Sequence, residues 1–599
     1  MGAFSCPVLE RCLELHPDAD AAGLVRARLA RAVGIDDLLP LYDQLIPVLE
    51  SVLWDSALDP ARLDLYHALF AEMEDHIAAA GNDTRHTLVV VVPVADRPQQ
   101  LRTCLMSLAG AARAFHYGAG GAQSTGRIMA VIADDSRAAG SIAENRAIAA
   151  EISEAGIETR YFGQREQLME LDSLADSDRR ALRNIIGSAD PDAFSHKGAS
   201  IMRNITSLML HRMAQQDERL LFLFVDSDEV FHADTVTGRE RFSCNYFYHI
   251  DRIFRQSAIE VLTGKVVGDP PVSPAVMAGT LLEDVLVLLT EMAGVAANAP
   301  CAFHEVSENQ DAAAYHDMAA LFGFEPSGVA CRYQCTLQGA HDHAACLSDL
   351  AGKLNRFFDG EHPTRVTPYR HMDVQASVTA ARTVYTGNYV LSPAALRYFI
   401  PFAKLQLRMA GPVLGRLVQA SSGNAFVSAN LPLLHRRTVA ATGGSEFRPG
   451  VDRTAALVDL SGEFERQFFG DVMLFTVIEL IAQGYPDQLP ARAEIQAQVL
   501  ATEAAMRAHY ATVRQRVLTR LDALEGFLSE PGHWWCDDTQ TGTLLDRFCG
   551  TLHANFGKDA RAWQLLEDET HRDARCMAIV DALAAYRLDR QSWERVLQG

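Results

Sequence analysis

Between Leu38 and Leu53 the apolar positions fall three and four apart, at Leu38, Leu41, Tyr42, Leu45, Ile46, Leu49 and Leu53, which is the spacing of one helical face. Residues 1–85 are therefore expected to form a helical region that packs onto a core. At Thr87 this period gives way to an unbroken apolar run, TLVVVVP, of the kind a strand buried on both faces shows. Further strands are predicted at RIMAVIAD (127–134), IETRYF (157–162), LLFLFVD (220–226) and TVYTGNYVL (383–391). Helical segments separate them, including RPQQLRTCLMSLAGAARAF and GASIMRNITSLMLHRMAQ. The alternation predicts an α/β sheet with ligands at the carboxyl ends of its strands. A Gly-rich loop at 118–126 and a Pro-rich one at 268–274 break the pattern, and the second is expected to open an insertion over 268–375. Beyond residue 440 helical spacing returns, at Phe464, Phe468, Val472, Phe475 and Leu480, then at Val499, Met506, Tyr510, Val513, Val517, Leu521 and Leu524. The expected division is a helical region over 1–85, an α/β core over 86–440 and a helical domain over 441–599.

Composition narrows the functional classes. The 599 residues are 48% hydrophobic and 22% charged with no low-complexity tract, which excludes a largely disordered chain. Lys and Arg number 54 against 76 Asp and Glu, a formal charge of −22 that repels polyanions and argues against a nucleic-acid partner. The cysteines are 11, an odd number at scattered positions, so reduced thiols in a cytoplasm are expected rather than a disulfide framework. The segment MGAFSCPVLERCLELHPDAD has no basic stretch followed by an apolar run, and Cys6 stands where a myristoylation signal needs Ser or Thr. The longest apolar stretches, such as LLEDVLVLLTEMAGVAANA, are interrupted by acids, so no membrane span is expected and any membrane contact would be peripheral.

The strongest chemical signal is LLFLFVDSDEVF, an apolar strand ending in Asp226-Ser227-Asp228. Two carboxylates at a sheet's carboxyl edge can hold Mg²⁺ or Mn²⁺ and set it against a diphosphate. Acids in that position also cap helices or face water.

The surrounding residues give the acids a context. VVVVPVADRPQQLRTCLMSL, then Asp134-Asp135-Ser136 at the end of the second strand, then GASIMRN, then VDSDEVF, in that order, resemble the family 2-like glycosyltransferases of the GT-A fold. The resemblance implies a nucleotide-sugar donor and an acceptor that the sequence does not identify. It also implies that Pro93, Asp96, Arg97 and Asp134 or Asp135 contact the nucleotide, that Lys197 and Arg203 face the diphosphate, and that Asp226 and Asp228 hold the metal. Asp228 is then central to catalysis, and Asp226 also lies near the sugar. Taken alone, Asp134–Ser136 also fits a self-capped turn, and Arg203 an exposed helical position.

In the same family a Gly-Asn pair lies beneath the donor sugar, which points to Gly387 and Asn388, although these two also suit a tight turn. His435, in LPLLHRRT, resembles the late histidine that completes such metal sites, and it equally fits a buried histidine bonded to backbone. Arg436 and Arg437 fit phosphate contacts or surface charge. Where inverting members carry an acidic pair, this chain has Gly411-Pro412, which favours a retaining transfer or a base elsewhere. Asp373 and Glu361 are the candidate bases, and GEHPTR, with His362 and Arg365, is the candidate acceptor-binding stretch.

Zinc-type ligands crowd the expected insertion: Cys331, Cys335, His341, His343 and Cys346, with Cys301 and His304 upstream, in a spacing that matches no common finger. A structural zinc and a chance cluster of thiols and histidines are both open readings. Two rivals share the fold. A sugar-phosphate nucleotidyltransferase would need a Gly-rich basic loop after the first strand, which PVADRPQQ does not supply. A non-catalytic nucleotide-binding or scaffold protein would fit the missing acidic pair and the large helical regions, which could also mediate a homodimer.

Overall fold

The computed structural model describes residues 5–16, 18–119, 126–190, 194–233, 241–256, 258–269, 272–304, 332–436, 448–454 and 458–598. Its centre is a nine-stranded sheet. The strands are β1 (Thr87–Val94), β2 (Ile128–Asp134), β3 (Glu158–Phe162), β4 (Leu220–Val225), β5 (Glu229–Val230), β6 (Val261–Gly268), β7 (Thr379–Ala380), β8 (Asn388–Leu391) and β9 (Phe426–His435). Their order is β3-β2-β1-β4-β8-β6-β9-β5, with β7 also on β9. β1 pairs in parallel with β2 and β4, β2 with β3, and β6 with β9. β8 runs antiparallel between β4 and β6. The chain is thus mixed α/β, with its parallel strands joined through helices.

The central strands are apolar throughout because both faces are covered. The pleat sends Val89 and Val91 of β1, with Phe222 and Phe224 of β4, into one core; Leu88, Val90 and Val92, with Leu221, Leu223 and Val225, enter the other. Helices Pro98–Phe115, Ala139–Glu154 and Tyr246–Gln256 contribute to the second core, and helix Ala199–Ala214 to the first.

The residues before β1 fold as four helices, Pro7–Leu13, Ala19–Leu29, Ile35–Asp55 and Pro60–Ala80, around a small core of their own. Ion pairs and hydrogen bonds join them to the sheet layer. Tyr66 Oη donates to Glu50 Oε1 at 2.6 Å, and His249 Nε2 lies 2.7 Å from the same oxygen. Burial alone would raise the Glu50 carboxyl; His249, followed by Tyr66, holds it below its ordinary range.

The helices after residue 460, chiefly Ser461–Ala482, Arg492–Leu528, Thr539–Phe556 and Glu569–Gln598, share the first core with the sheet rather than enclosing a separate one. Trp593 is fully buried, packs on Phe399 with ring centroids 5.8 Å apart, and donates its indole N–H to the Leu396 carbonyl at 2.9 Å. The expected insertion joins this helical layer. Helix Pro274–Ala293 is tied to helix Arg492–Leu528 by Arg520, whose guanidinium donates to Gly279 O at 2.8 Å and pairs with Glu283 at 2.8 Å. No helix among the described residues is long and apolar enough to cross a membrane.

Candidate functional site

Strand direction gathers the chemistry on one edge. β1, β2, β4, β6 and β9 all end there, and β8, running the other way, begins there. In register, Val94 of β1 lies beside Asp134, Val225 of β4 beside Asn388, and His435 of β9 beside both Gly268 and Glu229. Asp96, Asp226 and Asp228 follow directly on β1 and β4.

Each acid meets a defined partner. Arg203, in helix Ala199–Ala214, donates from Nη2 to Asp226 Oδ1 at 2.5 Å and to Thr386 O at 3.2 Å. It is buried, not exposed as helical position alone would allow, whereas the Asp226 side chain is 40% exposed. Asp228 is nearly buried, with Arg97 Nη1 at 3.4 Å and His435 Nε2 at 3.5 Å from the same oxygen, Oδ2. The other ring nitrogen of His435, Nδ1, lies 2.5 Å from the carbonyl of Asp269; a carbonyl only accepts, so Nδ1 carries the proton. Nε2 is thereby aimed at the Asp228 carboxylate. The backbone contact expected of a buried histidine is present, and the second ring nitrogen faces Asp228.

The acids expected to meet the nucleoside hold the framework together. Asp134 Oδ1 accepts from Ser136 N at 2.8 Å, and its Oδ2 accepts from Asn145 Nδ2 at 3.0 Å and Tyr161 Oη at 2.7 Å. Asp135 accepts from Lys197 Nζ at 2.5 Å and Gly198 N at 3.1 Å. Burial pulls the Lys197 ammonium below its ordinary range against the raising effect of Asp135. Asp96, with φ of 54°, accepts from Ala138 N at 3.0 Å and Arg137 N at 3.2 Å, and lies 2.6 Å from His196 Nε2. Partial burial acts to raise its carboxyl, and the two backbone donors and His196 outweigh that and lower it. Pro93 sits within β1 in register with Ala133. The β1, β2 and 194–198 loops are thus locked to one another.

Beside this framework a cleft of about 380 Å³ opens at the ends of β2 and β3, lined by Asp134, Arg146, Tyr161, Gln164, Arg165 and Asp172. The Arg146 guanidinium lies 4.9 Å from the centre of the Tyr161 ring. Sequence reasoning did not single out Arg146, Tyr161 or Arg165; Tyr161 lay in a predicted strand, but its partnership with Asp134 joins residues 27 apart.

Glu229 is the other residue that sequence reasoning passed over. It follows the DSD directly, is buried, and lies under Gly387: a Cβ there would come within 2.4 Å of its Oε1. Burial first, then the charges of Asp226 and Asp228, push its carboxyl well above the ordinary range, although its Oε2 accepts Asp226 N at 3.1 Å. Gly387 therefore permits close backbone approach over a buried acid.

Asn388 has a structural engagement. Its Nδ2 donates to Lys265 O at 3.1 Å and Leu431 O at 2.9 Å, filling the gap where β6 bulges at Gly264. Arg365 and His362 are likewise buried in the helical layer, away from open surface. Arg365 grips Asp284 with Nε at 2.6 Å and Nη2 at 2.8 Å. Burial, then Arg365, holds His362 well below the ordinary histidine range. Asp373 caps a turn by accepting from Gln375 N at 2.9 Å, and Glu361 faces Arg356 at 3.7 Å. At Gly411 and Gly415, added Cβ atoms would fall 2.3 Å from Val384 O and 2.6 Å from Thr383 Cα, so helix Ala410–Ser422 packs its bare backbone against the 383–384 segment. Arg436 donates its backbone N–H to Asp228 O at 2.9 Å; Arg437 lies outside the described residues.

No protein-family model matches this chain, and no curated protein matches it with significant similarity.

Proposed function

We propose that the chain is a metal-dependent glycosyltransferase with a GT-A core, moving a sugar from a nucleoside-diphosphate donor to an acceptor. The observation that carries this reading is the convergence of Asp226, Asp228, Arg97, Arg203 and His435 on one sheet edge. Asp226, Asp228 and His435 offer the oxygen and imidazole donors that suit Mn²⁺ or Mg²⁺. When bound, such an ion supplies positive charge to a diphosphate leaving group.

The remaining work falls to the chain's own residues. Arg203 and Arg97 stand beside the acids with Nη2 and Nη1 turned to them, cations of the kind that pair with a diphosphate. The Arg146–Tyr161 pair in the adjoining cleft offers a flat π-cation surface to a nucleoside. The locked β1, β2 and 194–198 loops fix that cleft relative to the diphosphate, which is where catalytic positioning is gained. With no acidic pair at Gly411-Pro412, the reading favours a retaining transfer, in which the departing phosphate takes the acceptor proton, with a base elsewhere as the alternative.

A thermal-shift screen with nucleoside diphosphates and nucleotide sugars, with and without Mn²⁺, tests the proposal. A ligand that binds only the native state raises its melting temperature. A Mn²⁺-dependent rise with one nucleotide sugar, followed by release of its nucleoside diphosphate on turnover, is the expected result. Absence of any shift favours a non-catalytic scaffold, and pyrophosphate release from a nucleoside triphosphate favours nucleotidyl transfer.

A further inference from the structure

We infer that Cys301, His304, Cys335 and His341 form a tetrahedral structural zinc site that clamps the helical layer, separate from the sheet-edge acids. One ligand atom from each of these four residues lies within 4.8 Å of the others. Ligands at zinc–sulfur and zinc–nitrogen bond lengths stand about 3.5 Å apart across a tetrahedron. Cys335 Sγ and His341 Nε2 are 3.3 Å apart, and the His304 and His341 rings meet edge to face at 5.0 Å. Two thiolates and two imidazoles form a borderline-soft, closed set that selects Zn²⁺ over the hard cations suited to the acids.

The surroundings orient these ligands. His341 Nδ1 donates to Gly339 O at 2.9 Å, which fixes the tautomer and leaves Nε2 free of a proton on the side of Cys335. Two backbone hydrogen bonds hold the ligand-bearing segments together, Cys301 N to His341 O at 3.0 Å and Cys335 N to Phe303 O at 2.6 Å. His343, named with the cluster on sequence grounds, is not a ligand: Nδ1 donates to Ala296 O at 2.8 Å and Nε2 accepts from Ala302 N at 3.2 Å. Cys346 is buried with its thiol against those of Cys301 and Cys335, outside the set of four whose ligand atoms are mutually close. Cys331 lies outside the described residues.

The four ligands come as two pairs, one after helix Pro274–Ala293 and one before helix His343–Leu354. Metal binding closes the chain between them, and its binding free energy becomes folding free energy for this layer.

Metal content of the full-length protein, purified under reducing conditions from zinc-supplemented medium, is the test. About one zinc per chain is expected. Replacement by Co²⁺ should give the visible bands of tetrahedral cobalt and a near-ultraviolet thiolate charge-transfer band. Cys335→Ser and His341→Ala should each lose the metal, and Cys346→Ser should keep it. The Co²⁺ spectrum of the unaltered chain answers the question even if those variants fail to fold. Failure of the reduced chain to bind Zn²⁺ or Co²⁺, a cobalt spectrum without thiolate charge transfer, a Cys301–Cys335 disulfide, or loss of metal from Cys346→Ser would each overturn the assignment.

Discussion

Arg203 Nη2 stands 2.5 Å from Asp226 Oδ1, with the arginine buried and the aspartate open to solvent. The pair therefore presents a carboxylate outward on a cation that the fold holds in place. Arg203→Ala leaves Asp226 facing water, so the protein should remain folded. Turnover of the nucleotide sugar should fall roughly 10²–10³-fold, the cost of removing one preorganised charge partner. Arg203→Lys keeps the charge without the planar fork and should recover only part of the rate. Equal rates in all three proteins, measured by nucleoside diphosphate release, would remove Arg203 from the reaction.

Asp228 and His435 face each other at 3.5 Å with the histidine tautomer set by Asp269. Asp228→Ala should abolish turnover while leaving the fold intact. His435→Gln should weaken Mn²⁺ binding by at least about tenfold, read by the loss of the free-ion signal in electron paramagnetic resonance titrations. Unchanged Mn²⁺ affinity in both variants would place the metal elsewhere.

Burial and two neighbouring acids raise the Glu229 carboxyl. The unfolded chain then releases this proton at lower pH than the folded one, so Glu229 costs stability as pH rises from about 4.5 toward its folded value. Glu229→Gln carries no such proton. Its stability relative to the parent should match at low pH and grow with pH, with a slope approaching about 1.4 kcal/mol per pH unit. Urea denaturation at pH 5 and pH 8 reads this, and a difference that does not change with pH counts against a protonated Glu229.

Asp471, in helix Ser461–Ala482, is buried, and burial pushes its carboxyl up to about 7 against the lowering effects of Tyr510 and Gln467. Tyr510 Oη lies 2.5 Å from Oδ2, and Gln467 Nε2 donates to Oδ1 at 2.9 Å. The stability associated with the protonated form is complete below about 3.8 and is lost as pH rises through about 7. Asp471→Asn keeps an acceptor for Gln467 and an N–H for Tyr510. Thermal melts between pH 4 and pH 8 should show a shallower decline than in the parent; parallel curves would mean that Asp471 is ionised throughout.

Sequence patterns revealed β1, β2 and β4 because those strands are nearly apolar over their length, as TLVVVVP and LLFLFV are. They did not reveal β6 and β9, whose polar members lie inside the sheet. In β9, Asn430 donates to Arg370 O at 3.1 Å, and Pro432, which has no N–H, pairs with Lys265 just past the β6 bulge. The engagement of Asn388 arises from that same bulge, which local spacing does not encode. At the site, the acids of DSD were visible because they end an apolar strand. Their partners were less so: Arg97 and Asp228 are 131 residues apart, and Arg203 and Asp226 meet only through the packing of a helix on the sheet.

The contact of Trp593 with Leu396 also fixes an order in time. Leu396 is synthesised 197 residues before the indole that covers it, roughly 10–40 s earlier at cellular elongation rates. Through that interval the turn that follows β8 lacks the indole that covers it, so this flank of the sheet is completed only after the distant helix Glu569–Gln598 has been made.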